Sequence, residues 1–251
     1  MSLNFLKMIL AVDAGNTRIK TAVYENNKLV SQHFFDQANI ENGFKNIFVT
    51  YKNIIKIVVS SVSNLDVDVF RSICIQHPID FITREHNFPF NNLYLTPKTL
   101  GIDRMVLASG AVFKYPAKNR LIIDAGTCVT YDYINENNNY LGGAISPGLR
   151  IRYTSLNQYT SKLPLLNTDY PLNIIGNSTS EAIHSGVVNG LVFEIEGIIA
   201  NFVANNSNFI IILTGGDAEF LAIRLKNTIF ANSNFLLESL ILLHNYNSKN
   251  D

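Results

Sequence analysis

The chain has 251 residues, 47% of them hydrophobic and 16% charged, with 20 basic against 20 acidic side chains and a formal net charge of zero. That length supports one large domain or two small ones with sizeable cores, and the balanced charge gives no basic face, which excludes nucleic acid as a main partner. Two cysteines, Cys74 and Cys128, exclude a disulfide framework and a cysteine-based metal site.

Residues 8–13 read as a buried strand, and 18–24 and 28–35 as a hairpin about Glu25-Asn26-Asn27-Lys28. The short apolar run before Asp13 belongs to that first strand; it is neither a signal peptide nor a membrane span, so no membrane partner is expected and the default location is cytoplasmic. Residues 40–52 are helical, and 54–60 is a β-branched run of the kind a parallel sheet buries. Ser63-Asn64-Leu65-Asp66 opens a helix by capping chemistry, running to about Gln76, and 79–82 is a short strand. Residues 83–99, with Pro89 and Pro97, form a loop long enough to suggest a function. Helix resumes over 102–113, and a second series of strands begins near Asn119, with 142–148 a strand broken by turn residues. Cys128 lies in an apolar strand pattern and reads as a small core residue. Residues 178–204 form a long amphipathic helix opened by Ser178, Thr179 and Glu181. Its apolar positions Ile183, Val187, Leu191, Ile195 and Ile198 suit either a subunit contact or the intrachain core. A strand over 208–213, a helix over 218–225 and an apolar tail over 235–244, read as a short strand and a helix, complete an α/β alternation.

Two segments repeat one phrase. Met8–Val30 and Arg120–Gly143 each have an apolar run ending in Asp-Ala-Gly and a Thr, then a β-rich run, an Asn-rich turn and another apolar run. Asp13 and Asp124 are about 110 residues apart, too far for a solenoid period and suited to two fused copies of one domain. We therefore expect domains at 1–118 and 119–251, with a cleft between them.

In Asp13-Ala14-Gly15-Asn16-Thr17-Arg18-Ile19-Lys20, the glycine lets the backbone approach a ligand and the Asp can hold a hydrated Mg²⁺, which takes one or two carboxylates plus phosphate oxygens. Lys20 either adds charge toward a phosphate or lies solvated on the hairpin. The segment is neither a dinucleotide-binding fingerprint nor a Walker loop. In the second copy Asp124 can ligate a cation and Thr127 can donate to a phosphate oxygen, while Thr214-Gly215-Gly216-Asp217-Ala218 offers free N–H groups that suit the adenosine side of a nucleotide. Asp103, in Leu100-Gly101-Ile102-Asp103-Arg104, is a candidate general base; on residue chemistry alone, a helix-start acid favoured by the macrodipole is the better reading. The five histidines make no zinc-hydrolase pattern, and no nucleophile elbow is present.

Taken in order, DAGNTRIK (13–20), YLTPKTLGIDR (94–104), DAGTCVT (124–130), GGAISPGL (142–149), STSEAIHSG (178–186) and TGGDA (214–218) resemble the type III pantothenate kinases. That family belongs to the acetate kinase, sugar kinase, heat-shock chaperone and actin superfamily. The resemblance implies an α/β fold of two duplicated ribonuclease-H-like (actin-like ATPase) domains and ATP-dependent phosphorylation of pantothenate, the first step of coenzyme A synthesis. It implies that Asp13, Ala14, Gly15, Asn16, Thr17, Arg18, Ile19 and Lys20, with Thr127, bind ATP, and that Asp13 lies near Mg²⁺. Asp124 would bind a monovalent cation, K⁺ or NH₄⁺. Tyr94, Gly101, Ile102, Asp103, Arg104 and Thr179 would line the pantothenate site with Asp103 as catalytic base, in a homodimer. Cys128 stands where the family commonly has Ala. The alternatives are a non-catalytic transcription-accessory regulator on the same fold, or a kinase for another small hydroxy substrate.

Overall fold

Asn26 and Asn27 both adopt left-handed backbone, with φ of 48° and 64°, and so close a tight hairpin between two long strands. The pair belongs to the first of two sheets in a computed structural model that describes residues 7–15, 18–61, 67–226 and 230–249. The elements of the first half are β1 (Met8–Ala14), β2 (Ile19–Glu25), β3 (Lys28–Phe35), α1 (Ile40–Thr50), β4 (Ile54–Ser61), α2 (Val67–Ile73) and β5 (Ile79–Phe81). After them come a loop with the two-residue β6 (Asn91–Asn92), and α3 (Ile102–Lys114). The second half contains β7 (Asn119–Ala125), β8 (Cys128–Ile134), β9 (Asn139–Pro147), α4 (Leu149–Gln158), α5 (Thr179–His184), α6 (Gly190–Asn205), β10 (Phe209–Thr214), α7 (Ala218–Ala222) and β11 (Phe230–Ala231). The last element is α8 (Phe235–Asn247).

By packing, the chain divides into Met1–Lys114 with Phe235–Asp251, and Tyr115–Asn234. In the first unit the strand order is β3-β2-β1-β4-β5; β2 and β3 run antiparallel, while β4 and β5 are parallel to β1. In the second unit β9-β8-β7-β10-β11 repeats that order and those directions. The repeated phrase in the sequence is thus a repeated sheet, the ribonuclease-H-like plan.

The C-terminal segment departs from the expected boundary. Residues 235–247 form one helix rather than a strand and a helix, and it packs on α3, β1 and β4 of the first unit. Leu237, Leu240 and Leu243 are almost fully buried there. Gly110 of α3 accommodates the approach, since a side chain at that position would lie 1.8 Å from Ser239 Oγ. The Ser63–Asp66 cap expected for α2 lies outside the described residues, and α4 was not anticipated from the sequence.

Each sheet buries one face in a large apolar cluster. In the first unit Leu10, Val12, Ile57 and Val59 pack with Phe44 and Ile47 of α1 and Phe70 of α2. In the second, Leu121, Ile123, Ile211 and Leu213 pack with Ile183, Val187, Leu191 and Ile195. Those last four positions, with the partly buried Ile198 beside them, are core, so they do not form a subunit contact. Their helix runs continuously over Thr179–Asn205 through a π turn at Ser185–Asn189 and, by length and composition alone, is apolar enough to cross a membrane; one of its faces is committed to the sheet. Cys74 is buried and its thiol is pushed up to about 12 by desolvation. Cys128 is exposed, contrary to the core reading, because β8 starts at the surface turn that follows Asp124.

Candidate active site

Asp13 stands at the carboxyl end of β1, opposite Lys20 on β2 and Ser60 on β4. Side chains alternate along a strand, so with Val12 and Val59 turned into the α1–α2 cluster, Asp13 and Ser60 face the other side, where α3 and α8 pack. Burial pushes the Asp13 carboxyl up to about 6, opposed by the charge of Lys20 and reinforced by Asp103. Of the remaining DAGNTRIK residues, Ala14 and Ile19 have no exposed surface and can offer a ligand only backbone. Asn16 and Thr17 lie outside the described residues. The Gly15 N–H donates to the Arg18 carbonyl at 3.2 Å, and Gln37 Nε2 donates to the Gly15 carbonyl at 3.3 Å, which pins the turn from both sides. Arg18 is exposed, 3.9 Å from Asp36.

Asp103 sits in the first turn of α3, whose first carbonyl partner is Gly101: its oxygen accepts from the Met105 N–H at 3.2 Å. The carboxylate folds back over Gly101 so closely that a Cβ there would lie 2.3 Å from Asp103 Oδ1, which explains the glycine. Burial raises the Asp103 pKa, against hydrogen bonds from the Arg104 and Asp103 N–H groups and the charge of Arg104. Arg104 is itself only 6% exposed. Tyr94 is half-buried, and its N–H donates to Asn92 Oδ1 at 3.0 Å. The first unit thus brings two desolvated carboxylates, a lysine and an arginine together. Such a group can receive a cation between its acids or take a proton near neutral pH.

Asp124 occupies the equivalent place in the second unit, opposite Thr130 on β8 and Thr214 on β10. Thr130 Oγ1 donates to Asp132 Oδ2 at 3.3 Å. Two glycines lock this corner. Gly215 has φ of +98°, and a side chain on it would come within 2.4 Å of Asp124 Oδ1 and 2.3 Å of the Ala125 carbonyl. Gly148 donates to the Thr127 carbonyl at 3.1 Å, and a side chain there would lie 2.0 Å from the Gly126 carbonyl. The Asp217 N–H adds a 2.9 Å bond to the Ala125 carbonyl. Thr127 is exposed at the tip. Thr179 is exposed at the start of α5, behind the Ser178 cap, and shares no hydrogen bond with the Asp124 corner among the described residues.

Sequence reasoning passed over the support behind this corner. Glu194 of α6 accepts from Tyr131 at 2.7 Å and Ser146 at 3.0 Å and pairs with Arg152, whose Nε donates to the Pro147 carbonyl at 2.8 Å. Those bonds tie the end of β9 to α4 and α6 just before Gly148. It also passed over Ser60, because only strand register places it beside Asp13.

The model of the type III pantothenate kinase family matches residues 9–201. Curated relatives of that name include one from Flavobacterium johnsoniae, 58% identical over 97% of this chain and all of the relative, and one from Flavobacterium psychrophilum, 57% identical over 95% and 99%. A third, from Christiangramia forsetii, is 45% identical over 96% and 99%. Among solved structures, a Campylobacter jejuni protein described as a Baf family transcriptional activator superposes with a TM-score of 0.60 at 23% identity, covering 96% of this chain and 99% of the other. A polyphosphate/ATP-glucomannokinase from Arthrobacter gives 0.51 at 12% identity, covering 96% and 99%. At those identities the two structures speak for the shared fold alone, whereas the sequence relatives speak for descent. The chain belongs to the type III pantothenate kinase family.

Proposed function

We propose that this protein transfers the γ-phosphoryl group of ATP to the primary hydroxyl of pantothenate, opening coenzyme A synthesis, with Asp103 as general base. The observation that carries the reading is the raised proton affinity of Asp103 at a buried helix start, beside a second carboxylate. Phosphoryl transfer asks mainly for in-line positioning and charge neutralisation. Asp103 orients the attacking hydroxyl and takes its proton as the oxygen–phosphorus bond forms. Arg104, whose charge already bears on that carboxylate, braces it and offers an anion partner to the substrate. Gly101, Ile102 and Tyr94 shape the wall, and Thr179 adds a hydroxyl contact to pantothenate. Lys20 and the 13–19 backbone hold the phosphates, and Thr127 contacts the nucleotide.

The residues suit two cations. A divalent ion beside Asp13 relieves the repulsion and desolvation that raise its pKa, and when bound it neutralises phosphate charge. Asp124, opposite Thr130 and Thr214 on the neighbouring strands, suits a monovalent ion, K⁺ or NH₄⁺. We assign a homodimer as well: Leu172 and Ile175 are each 81% exposed and Phe193 is 60% exposed, apolar surface that a partner would cover.

Asp103→Asn tests the base. Turnover should fall about 10²–10⁴-fold, with the circular dichroism spectrum and binding of an ATP analogue unchanged; near-wild-type turnover would overturn the assignment. Assaying pantothenate against a panel of sugars tests the substrate, and absence of transfer to either would favour a regulatory role.

A further inference from the structure

We propose that Ser60 belongs to the divalent-cation site, its hydroxyl oxygen accepting a hydrogen bond from a water of the hydrated ion that Asp13 holds. Ser60 has no exposed surface, and its Oγ has no hydrogen-bond partner. A buried hydroxyl left unpaired keeps its full desolvation cost, and such groups in native proteins generally await a water, an ion or a ligand. An alanine would carry no such cost.

Strand register says what Ser60 awaits. It lies directly across from Asp13 in the parallel β1–β4 pair, and the two side chains project from the same face. On the other flank of Asp13 stands Lys20, which repels a cation. Ser60 is therefore the neutral oxygen donor of the row, beside the Asp13 carboxylate. Mg²⁺ dehydrates reluctantly and keeps several waters, so a site with one buried carboxylate needs acceptors for those waters. The second unit repeats the arrangement: Thr214 on β10 stands opposite Asp124 where Ser60 stands opposite Asp13. A hydroxyl at this position is thus common to both copies.

The inference rests on the reading that Asp13 holds the divalent ion, so the experiment includes both residues. Mn²⁺ is titrated into the full-length protein with a non-hydrolysable ATP analogue, and free Mn²⁺ is read by electron paramagnetic resonance for wild type, Ser60→Ala, Ser60→Thr and Asp13→Asn. Ser60→Ala should weaken Mn²⁺ binding about tenfold, the lower end of what partners of a metal's ligands contribute. Ser60→Thr should restore it to within about twofold of wild type. The Tm of Ser60→Ala should be unchanged or higher, because an unpaired hydroxyl has gone. Wild-type Mn²⁺ affinity in Ser60→Ala, while Asp13→Asn has lost it, overturns the role of Ser60 and spares that of Asp13. Wild-type affinity in Asp13→Asn overturns both. A lowered Tm with unchanged Mn²⁺ affinity makes Ser60 a packing residue and also overturns the inference. If Ser60→Ala fails to fold, Ser60→Cys, alike in shape though slightly larger and a poor hydrogen-bond partner, is held to the same outcomes.

Discussion

Asp13 and Asp124 end equivalent strands of two sheets built to one plan, yet the first stands between Lys20 and Ser60 and the second between Thr130 and Thr214. Among the described residues the first corner is held by the Gly15–Arg18 backbone bond and the Gln37 side chain, and a Cβ on Gly15 would meet the Arg18 carbonyl at 3.2 Å. The second is clamped by Gly148 and Gly215, each backbone-to-backbone with the turn. Duplication thus conserved the placement of an acid and let its neighbours diverge. Under the proposed function, a lysine and a second carboxylate suit one copy to phosphate and divalent-ion chemistry, and hydroxyls and a rigid turn suit the other to a fixed oxygen site.

The largest effect should come from removing each acid in turn. Asp13→Asn should lower turnover by about 10³-fold, the scale of losing a main electrostatic stabiliser of the transition state. Asp124→Asn should lower it nearer tenfold and change mainly its dependence on K⁺ concentration. Equal losses, with no change in K⁺ dependence, would mean that the copies are not functionally distinct.

The same substitution at Asp13 should stabilise the protein. Its carboxyl rises from 3.8 to about 6 on folding, so between those values the folded state holds the extra proton and stability falls as pH rises. The shift corresponds to about 3 kcal/mol at neutral pH, absent below pH 3.8. Urea unfolding should show Asp13→Asn more stable than wild type at pH 7 by up to that amount and equal to it at the acid end. An unchanged midpoint at pH 7 would show that Asp13 is not desolvated.

Next in size is the contrast between the turns. Gly215→Ala meets both positive φ and two oxygens nearer than 2.5 Å, and should cost about 2–4 kcal/mol, with loss of K⁺ dependence. Gly15→Ala should cost under about 1 kcal/mol. Gly216, beside which a Cβ would meet nothing within 4 Å, is the control. If both corners tolerate alanine equally, the clamp on the second has no energetic weight.

What the sequence disclosed follows from what is local. An apolar run into Asp-Ala-Gly, an Asn-Asn turn and a helix opened by Gly101 each depend on a few adjacent residues, and the fold class and both acids were legible from them. Ser60 was not, and Thr214 was read only as part of a glycine turn and not as the neighbour of Asp124, because their placement comes from strands paired across dozens of residues. Cys128 was misjudged because an apolar strand pattern does not mark where the strand emerges from the sheet. The tail was misplaced for a similar reason. Leu236, Leu237, Leu240 and Leu243 announce a buried helix without naming the sheet that buries it.

That tail supplies the smallest test, and it concerns why only the first unit receives a helix from the far end of the chain. Asp80 on β5 accepts from His244 Nδ1 of α8 at 2.9 Å and from His86 Nε2 at 3.1 Å. The Thr83 N–H donates to His86 Nδ1 at 3.2 Å, which leaves Nε2 as the protonated nitrogen facing the carboxylate. These bonds, that of His244 foremost, hold the Asp80 carboxyl below its ordinary value. Its contribution is therefore present above the usual carboxylate range and lost as pH falls through the depressed pKa. Asp80→Asn should cost roughly 1–2 kcal/mol at pH 7 and nothing at the acid end. Amide hydrogen exchange should quicken over 235–247 while β7 and β10 of the second unit keep their protection. If α8 exchanges no faster in the variant, the leucines alone dock it. The first unit would then own the tail through burial, and the histidine–aspartate contacts would be incidental to that choice.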